Sequence, residues 1–319
     1  YIPDSFKESY TVPIPKTKDF FSKSLTVRDF RGIAISSQLG KLFERCLLSI
    51  LDDFVHTSDF QMGFKKKLGC RNAIYSLQQI TSLICKDGGN ANICTLDISK
   101  AFDCVNHVTL LNKLMDFFLP KRLITLLANW LQRCRTRVRW DQCQSDSFTL
   151  ERGVRQGSVL APLLFLIYVD SLLNVGNGIC RCFVLMYADD IVVITARISD
   201  LQNILHSIEV ELCNLSLKLN PSKTFCIRIG RRFNSYLTDI STLDGSTIPW
   251  VSEIIYLGIS FSNGFSLKPG LHRCKLAFYR SFNSIMARIG GTASEEVLIH
   301  LLTNKCMPAL LYGCMDLKQ

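Results

Sequence analysis

The sequence predicts an α+β fold in which an antiparallel sheet is backed by helices. Three observations carry that reading. Two short apolar runs, Phe183-Val184-Leu185-Met186 and Ile191-Val192-Val193-Ile194-Thr195, flank Tyr187-Ala188-Asp189-Asp190, the pattern of a hairpin with carboxylates at its tip. A further β-prone run, Ile93-Cys94-Thr95-Leu96-Asp97, follows the turn-forming Asp87-Gly88-Gly89-Asn90 and also ends in an acid. Around these runs, apolar residues recur at helical spacing over much longer segments.

In chain order, an extended, Pro-containing start precedes helical patterns at Leu39–Val55 and Arg71–Lys86. Val108–Phe118 and Lys121–Leu131 read as helices, followed by strands near Thr136–Trp140 and Phe148–Arg152. An apolar helix is expected over 158–173, with Ser158 as its N-cap and Pro162 tolerated in its first turn. After the acidic hairpin come a helix over Asp200–Leu217 and strands near 225–229 and 255–260. Beyond Gly264 the pattern is helical at Leu271–Ile289 and Glu295–Leu311, with Gly290-Gly291 between the two.

Composition bounds the function classes. The chain has 319 residues, 48% of them hydrophobic, enough for a substantial core and two or three lobes. Lys and Arg number 37 against 27 Asp and Glu, and the net charge of +10 suits a polyanionic partner. The alternation in Arg133-Cys134-Arg135-Thr136-Arg137-Val138-Arg139-Trp140 gives a strand one basic face, for a nucleic-acid backbone or for solvent. Lys65-Lys66-Lys67 reads equally as a phosphate contact or a solvated run. The 14 cysteines include no Cys-x2-Cys pair and the five histidines are scattered, so no zinc ligand set follows. Scattered thiols fit a reducing compartment better than a disulfide scaffold. The longest apolar run, Val159 to Val169, is too short to span a bilayer, and no signal peptide stands at Tyr1. An intracellular workplace, cytoplasmic and nuclear, is expected, with no membrane partner.

Adjacent hard carboxylates on a rigid hairpin suit Mg²⁺, which prefers oxygen ligands and substrate phosphates. A pair of aspartates at a turn also serves as a plain solvated turn. Metal-assisted phosphoryl transfer needs carboxylates from separate strands, and Asp97 supplies the second strand if the two lie side by side. Taken alone, Asp97 is equally an ordinary strand-end acid.

Across nearly its whole length the chain resembles the reverse transcriptase domain of non-LTR (LINE-type, jockey-like) retrotransposons. The blocks stand in the family's order. Arg31-Gly32-Ile33 precedes Leu39-Gly40-Lys41-Leu42-Phe43-Glu44-Arg45, then Gln61-Met62-Gly63-Phe64. Asp97 through Leu111 follows, then Gly153 through Phe165 with Arg155-Gln156-Gly157 at its heart. The Tyr187 to Asp190 box, Leu219-Asn220-Pro221-Ser222-Lys223-Thr224 and Tyr256-Leu257-Gly258-Ile259 close the series.

The resemblance implies a right-hand polymerase architecture, with fingers over 1–90, an antiparallel-sheet palm over 91–263 and a helical thumb over 264–319. It implies an RNA-directed DNA polymerase that extends a primer 3′-hydroxyl on an RNA template by two-metal nucleotidyl transfer. The implied partners are the RNA template, a DNA or RNA primer and dNTPs. Asp97 and Asp189 are the implied metal ligands, Asp190 completes the motif, and the Ile98 carbonyl helps hold the nucleotide-bound ion. Two Mg²⁺ ions are expected, with Mn²⁺ as a possible substitute. Asp103 reads as a structural acid outside this set.

Phe102 stands where the family places a sugar gate, a ring that clashes with a ribose 2′-hydroxyl; an isolated phenylalanine is otherwise a core residue. Gln156 and Gly157 are implied at the nascent base pair or nucleotide, glycine permitting close backbone approach to a ligand. Lys223 is implied near the pyrophosphate leaving group as a proton donor. Lys16 and Arg31, from the fingers, are implied to grip the triphosphate. Tyr256 through Phe261 resembles the primer-grip element and reads as one strand carrying a glycine.

The chain is read as one part of a longer element, on which an endonuclease and other nucleic-acid-binding domains are expected. A group II intron-type maturase is the competing enzyme, though the Asp97 and Gln156 blocks look more like the non-LTR pattern; a telomerase-type reading is weaker for the same reason. An RNA-directed RNA polymerase would lack a bulky gate at Phe102. A decayed or domesticated copy that only binds nucleic acid is the non-enzymatic alternative, and the intact acids, Gln156 and Lys223 argue against decay at the site.

Overall fold

The computed structural model describes residues 2–16, 25–176 and 178–312. Tyr1, stretch 17–24 of the expected fingers and residues 313–319 of the expected thumb lie outside the described residues.

The chain begins with α1 (Asp4–Lys7), β1 (Glu8–Pro15), β2 (Phe30–Ser36), α2 (Gln38–Leu51) and α3 (Cys70–Cys85). Next come β3 (Asn90–Asp97), α4 (His107–Asp116), α5 (Lys121–Leu131), β4 (Arg135–Trp140) and the two-residue strands β5 (Cys143–Gln144) and β6 (Phe148–Thr149). α6 (Ala161–Val169) leads to β7 (Cys182–Tyr187), β8 (Asp190–Thr195) and α7 (Ile198–Asn214). β9 (Phe225–Gly230) precedes the short β10 (Ile240–Ser241) and β11 (Thr247–Ile248). Then follow β12 (Glu253–Tyr256), β13 (Ile259–Ser262) and β14 (Lys268–Gly270). α8 (His272–Ile289), α9 (Glu295–Leu301) and α10 (Met307–Leu311) end the described chain, a π-helical turn at Leu302–Cys306 joining the last two.

These elements form two compact units. One is drawn from Tyr1–Phe64, Ile98–Val175 and Ile208–Leu219, the other from Lys65–Asp97, Gly176–Ser207 and Asn220–Gln319.

In the first unit a mixed sheet runs in the order β2-β1-β4-β5, with β6 also on β4. β1 lies antiparallel to β2 and parallel to β4. The period of two puts Arg135, Arg137 and Arg139 on the exposed face of β4, with Thr136 buried between them. The core of this unit is α6, whose residues are almost all buried, so the helix is apolar on every side.

α6 begins at Ala161, and the expected Ser158 cap is not formed. The Ser158 hydroxyl instead donates to Glu44 of α2 at 2.6 Å. The same carboxylate accepts from the backbone N–H groups of Val159 and Leu160, satisfying donors that open the helix from a distant segment. Glu44 is fully buried and pairs with the equally buried Arg155 at 3.2 Å. Arg155 also donates to the Lys7 carbonyl at 3.2 Å and lies over the Trp130 ring, 4.8 Å from its centroid. A pair taken this far from water persists because further groups partner both ends, the Lys7 carbonyl on Arg155 and the Ser158, Val159 and Leu160 donors on Glu44.

The second unit holds a four-stranded antiparallel sheet in the order β7-β8-β3-β9, with α3 packed against it. Ile191 through Thr195 of β8 are buried without alternation, as a strand covered on both faces requires. The strand expected near 255–260 is two strands: β12 and β13 pair through a turn at Leu257-Gly258. Both turn residues have positive φ, +46° and +80°, the conformation that matches the twist of a tight hairpin. No helix among the described residues is long and apolar enough to cross a membrane.

Candidate active site

β3 and β8 are neighbours, and their register sets Asp97, the last residue of β3, opposite Asp190, the first of β8. Tyr187 pairs with Asp190 across the β7–β8 hairpin, leaving Ala188 and Asp189 as a two-residue turn. Ala188 is buried and left-handed, at φ +58°. A non-glycine residue persists there because the paired strands on both sides over-determine it. The three acids predicted from the sequence therefore come together at one end of one sheet.

Their charges crowd. The Asp190 carboxyl is pushed up to about 6, by loss of hydration first and then by the negative charges of Asp189 and Asp97. A carboxyl raised above its free value of 3.8 destabilises the fold where it is ionised; the penalty is present above about 6 and fades as the pH falls.

Two side chains answer the charge on Asp97. Lys223 Nζ lies 3.7 Å from Asp97 Oδ2, with two-thirds of the lysine exposed, so the pair adds little to stability. Asn220 Nδ2 donates to the same oxygen at 3.0 Å, and the Asn220 backbone N–H donates to the Asp97 carbonyl at 2.9 Å. Ser222 in turn donates to Asn220 Oδ1 at 2.7 Å, fixing the amide's orientation. The single turn Pro221–Lys223 is thus fastened to the end of β3. Asn220 had no role in the sequence reading, although its signal stood in the block that contributed Lys223.

Tyrosines pack around the acids. Tyr187 is pushed up to about 12 by its hydrogen bond with Cys70 and then by burial. Tyr256 is raised by burial first and then by the charge of Asp190. Its hydroxyl is buried without a hydrogen-bond partner. The Tyr312 hydroxyl donates to the Leu257 carbonyl at 2.8 Å, tying the chain just beyond α10 to the β12–β13 turn.

Among the described residues no three or more His, Cys, Asp or Glu side chains are grouped so that together they could hold a metal ion. The site suits Mg²⁺ all the same, because that ion needs only one or two carboxylates beside substrate phosphates and water. Three acids of one sign, one already raised by its neighbours, are a donor set that a divalent cation relieves.

The remaining predicted residues lie in the first unit. Ile98 follows Asp97 in the chain, is buried, and pairs in an isolated bridge with Leu219. Phe102 stacks on Phe165 with ring centroids 4.3 Å apart and meets Phe64 edge-on at 6.4 Å, so its ring is held rather than loose. Asp103 accepts from Gln156 Nε2 at 3.0 Å, giving that acid a defined structural task. Gly157 sits at φ +111°, and a Cβ there would lie 2.5 Å from the Ala34 carbonyl. The close approach that requires glycine is therefore to β2, where the sequence suggested a ligand. Lys16 follows the end of β1 and its N–H donates to the Asp29 carbonyl at 2.8 Å, while Arg31 on β2 pairs with Ile14 of β1.

An antiparallel sheet carrying acids at the abutting ends of adjacent strands, within an α+β chain, fits the right-hand polymerase fold. The chain belongs to the reverse transcriptase (RNA-dependent DNA polymerase) family, which matches it over residues 14–261. It is 29% identical over 277 residues to the Pol polyprotein of the type-2 retrotransposable element R2DM of Drosophila melanogaster, covering 82% of this chain and 26% of that relative. It is also 29% identical over 260 residues to the RNA-directed DNA polymerase from the mobile element jockey of Drosophila funebris, covering 76% and 28% of the two chains. The chain thus spans about a quarter of the length of these relatives. A solved telomerase from Candida tropicalis, in complex with a fragment of telomeric RNA, shares the fold. The TM-score is 0.60 at 13% identity, over 98% of this chain and 55% of that one. The expected kinship with non-LTR retrotransposon polymerases is met.

Proposed function

We propose that this chain is the nucleotidyl-transfer part of a non-LTR retrotransposon's RNA-directed DNA polymerase, extending a primer 3′-hydroxyl with dNTPs on an RNA template. The observation that carries the reading is Asp97 set opposite Asp190 across β3 and β8, with Asp189 in the adjoining turn. Reverse transcriptases in general use divalent ions. Here Asp97, Asp189, Asp190 and the Ile98 carbonyl would hold two Mg²⁺, with Mn²⁺ able to replace them. Such ions, when bound, supply charge neutralisation for the triphosphate and acidity at the primer hydroxyl.

The chain's own groups do the rest. Asn220 holds the Asp97 carboxylate in one orientation. Lys223 balances Asp97 and carries the proton assigned to the leaving pyrophosphate. Lys16 and Arg31 grip phosphate oxygens, Arg31 through its forked donors. Gln156, steadied by Asp103, hydrogen-bonds the nascent pair. The β12–β13 hairpin is the primer grip. Fingers over 1–90, palm over 91–263 and thumb over 264–319 belong to the same reading, as do an endonuclease and further nucleic-acid-binding domains on the whole element. The free thiols support an intracellular workplace, cytoplasmic and nuclear.

Primer extension on an RNA template with dNTPs and Mg²⁺ tests the proposal. Elongated DNA product supports it, while tight primer–template binding without extension would reduce the chain to a binding module. Phe102→Ala is expected to raise ribonucleotide incorporation about tenfold or more, since the ring's clash with the 2′-hydroxyl is lost. Unchanged sugar discrimination would return Phe102 to the core. Replacing Arg135, Arg137 and Arg139 with Gln should weaken template binding and flatten its salt slope by about two units, at about 0.7 per phosphate contact on a single strand. An unaltered slope removes β4 from the footprint.

A further inference from the structure

The sheet of the second unit has an opposite end, and the groups gathered there are of a different kind. β3 begins at Asn90, paired with Gly230 at the close of β9, seven residues and so roughly 23 Å along the strand from Asp97. Directly after Gly230 stand Arg231-Arg232-Phe233-Asn234-Ser235-Tyr236.

This loop is built rather than loose. The Arg232 N–H donates to Asn90 Oδ1 at 2.8 Å, Phe233 N–H to the Gly230 carbonyl at 3.3 Å, and Ser235 N–H to the Arg232 carbonyl at 3.2 Å. Gly230 N–H donates to the Gly264 carbonyl at 2.8 Å, which sets segment 264–266 beside the loop. Phe233 and Phe265 consequently meet edge-to-face at 5.4 Å. Phe265 is nevertheless 72% exposed and Tyr236 95% exposed. Alongside lies a cleft of about 650 Å³ whose wall includes Gln78, Ser82, Lys86, Phe265 and Ser266.

Among the described residues the charges on this patch have no acidic partner: no carboxylate pairs with Arg228, Arg231 or Arg232. Arg228 Nε is buried with no hydrogen-bond partner among the described residues, although its Nη1 reaches Ser235 at 3.4 Å. Burial, and then the positive charge of Arg232, lower its proton affinity. Clustered guanidinium groups with an orphaned donor call for an anion of several oxygens. Exposed rings beside them call for flat partners, and a polar cleft offers donors and acceptors for base edges.

We infer that the patch formed by Arg228, Arg231, Arg232, Tyr236 and Phe265 is a second nucleic-acid site, which holds a single strand through its phosphates and by stacking of its bases. It lies away from the acids and takes no part in bond formation. Its occupant is a single-stranded stretch outside the paired region being copied. An acidic peptide would satisfy the arginines and leave the rings unused.

The test is fluorescence anisotropy with a labelled oligouridine of about 12 nucleotides, long enough for one such groove. It is titrated against the full chain without dNTPs or divalent ions, so the result is independent of whether the chain extends primers. Arg231→Gln with Arg232→Gln is expected to lower affinity about tenfold and flatten the salt slope by about 1.4, two contacts at about 0.7 each. Phe265→Ala should lower affinity about tenfold while leaving the slope unchanged, because stacking releases no counterions. All three residues are exposed, so the variants should fold, and an unaltered melting curve confirms it. Titrations of the double variant and Phe265→Ala that superimpose on the parent would overturn the site. So would displacement of the RNA by polyglutamate as readily as by unlabelled RNA. A photoreactive 4-thiouridine in the strand should cross-link to the peptide holding Tyr236 or Phe265; cross-links confined to other peptides would also overturn it.

Discussion

Asp189→Asn is expected to abolish deoxynucleotide incorporation, by on the order of 10³-fold or more, with the melting temperature unchanged or slightly raised. The substitution keeps the shape of the turn and removes one charge. Asp189 lies in a hairpin whose neighbours face Asp97 across the strand pair, so the loss falls on the cluster's ability to hold divalent cations. Stability should move the other way. The charge of Asp189 helps raise Asp190, and the penalty it imposes is present above about pH 6, so its removal relieves the fold at neutral pH. Single-nucleotide extension and a thermal melt, run side by side, read the two effects. Robust extension by the variant would take the acids out of the metal site.

Glu44→Ala is expected to produce the largest loss of stability, about 3–5 kcal/mol. Three consequences add. Arg155 is left charged and buried, the Ser158 hydroxyl loses its acceptor, and two N–H groups ahead of α6 lose theirs. Glu44→Gln should cost less, because an amide oxygen still accepts from the helix while the charge on Arg155 stays unanswered. Pairing Glu44→Leu with Arg155→Met should recover most of the loss, since neither buried charge then remains. Urea unfolding measures all of these. A loss below about 1 kcal/mol for Glu44→Ala would mean that water reaches the pair and the cap is dispensable.

What is legible in the residues follows the range of the forces involved. The Asp189 hairpin and the β3 acid were legible because each is a local pattern, an apolar run ending at a carboxylate. The exposed arginine face of β4 was legible from the two-residue period. Ser158 misled because capping preference is local, while the group that met these donors, Glu44, stands on another helix 115 positions from Val159. Leu257-Gly258 reads as strand because leucine seldom occupies the left-handed region, so only the glycine hints at a turn. Gly157 reads from the sequence as close approach to a ligand, whereas the backbone that meets it is the Ala34 carbonyl of β2, a neighbour that only the fold supplies. The amide of Asn220 was overlooked because its task exists only after β3 and the Pro221 turn meet.

The pairing of β3 on both sides has an evolutionary consequence. Asp97 faces Asp190 only while β3 keeps step with β8 at one edge and β9 at the other. Because successive side chains point to opposite faces and both faces of β3 are packed, gaining or losing one residue within it would exchange the two packed sets and carry Asp97 out of alignment. The strand can therefore exchange one aliphatic residue for another of similar size more readily than it can change its length. The spacing from Asn90 to Asp97 is a reading frame written in the sheet itself, and a deletion there silences the site with every acid still encoded.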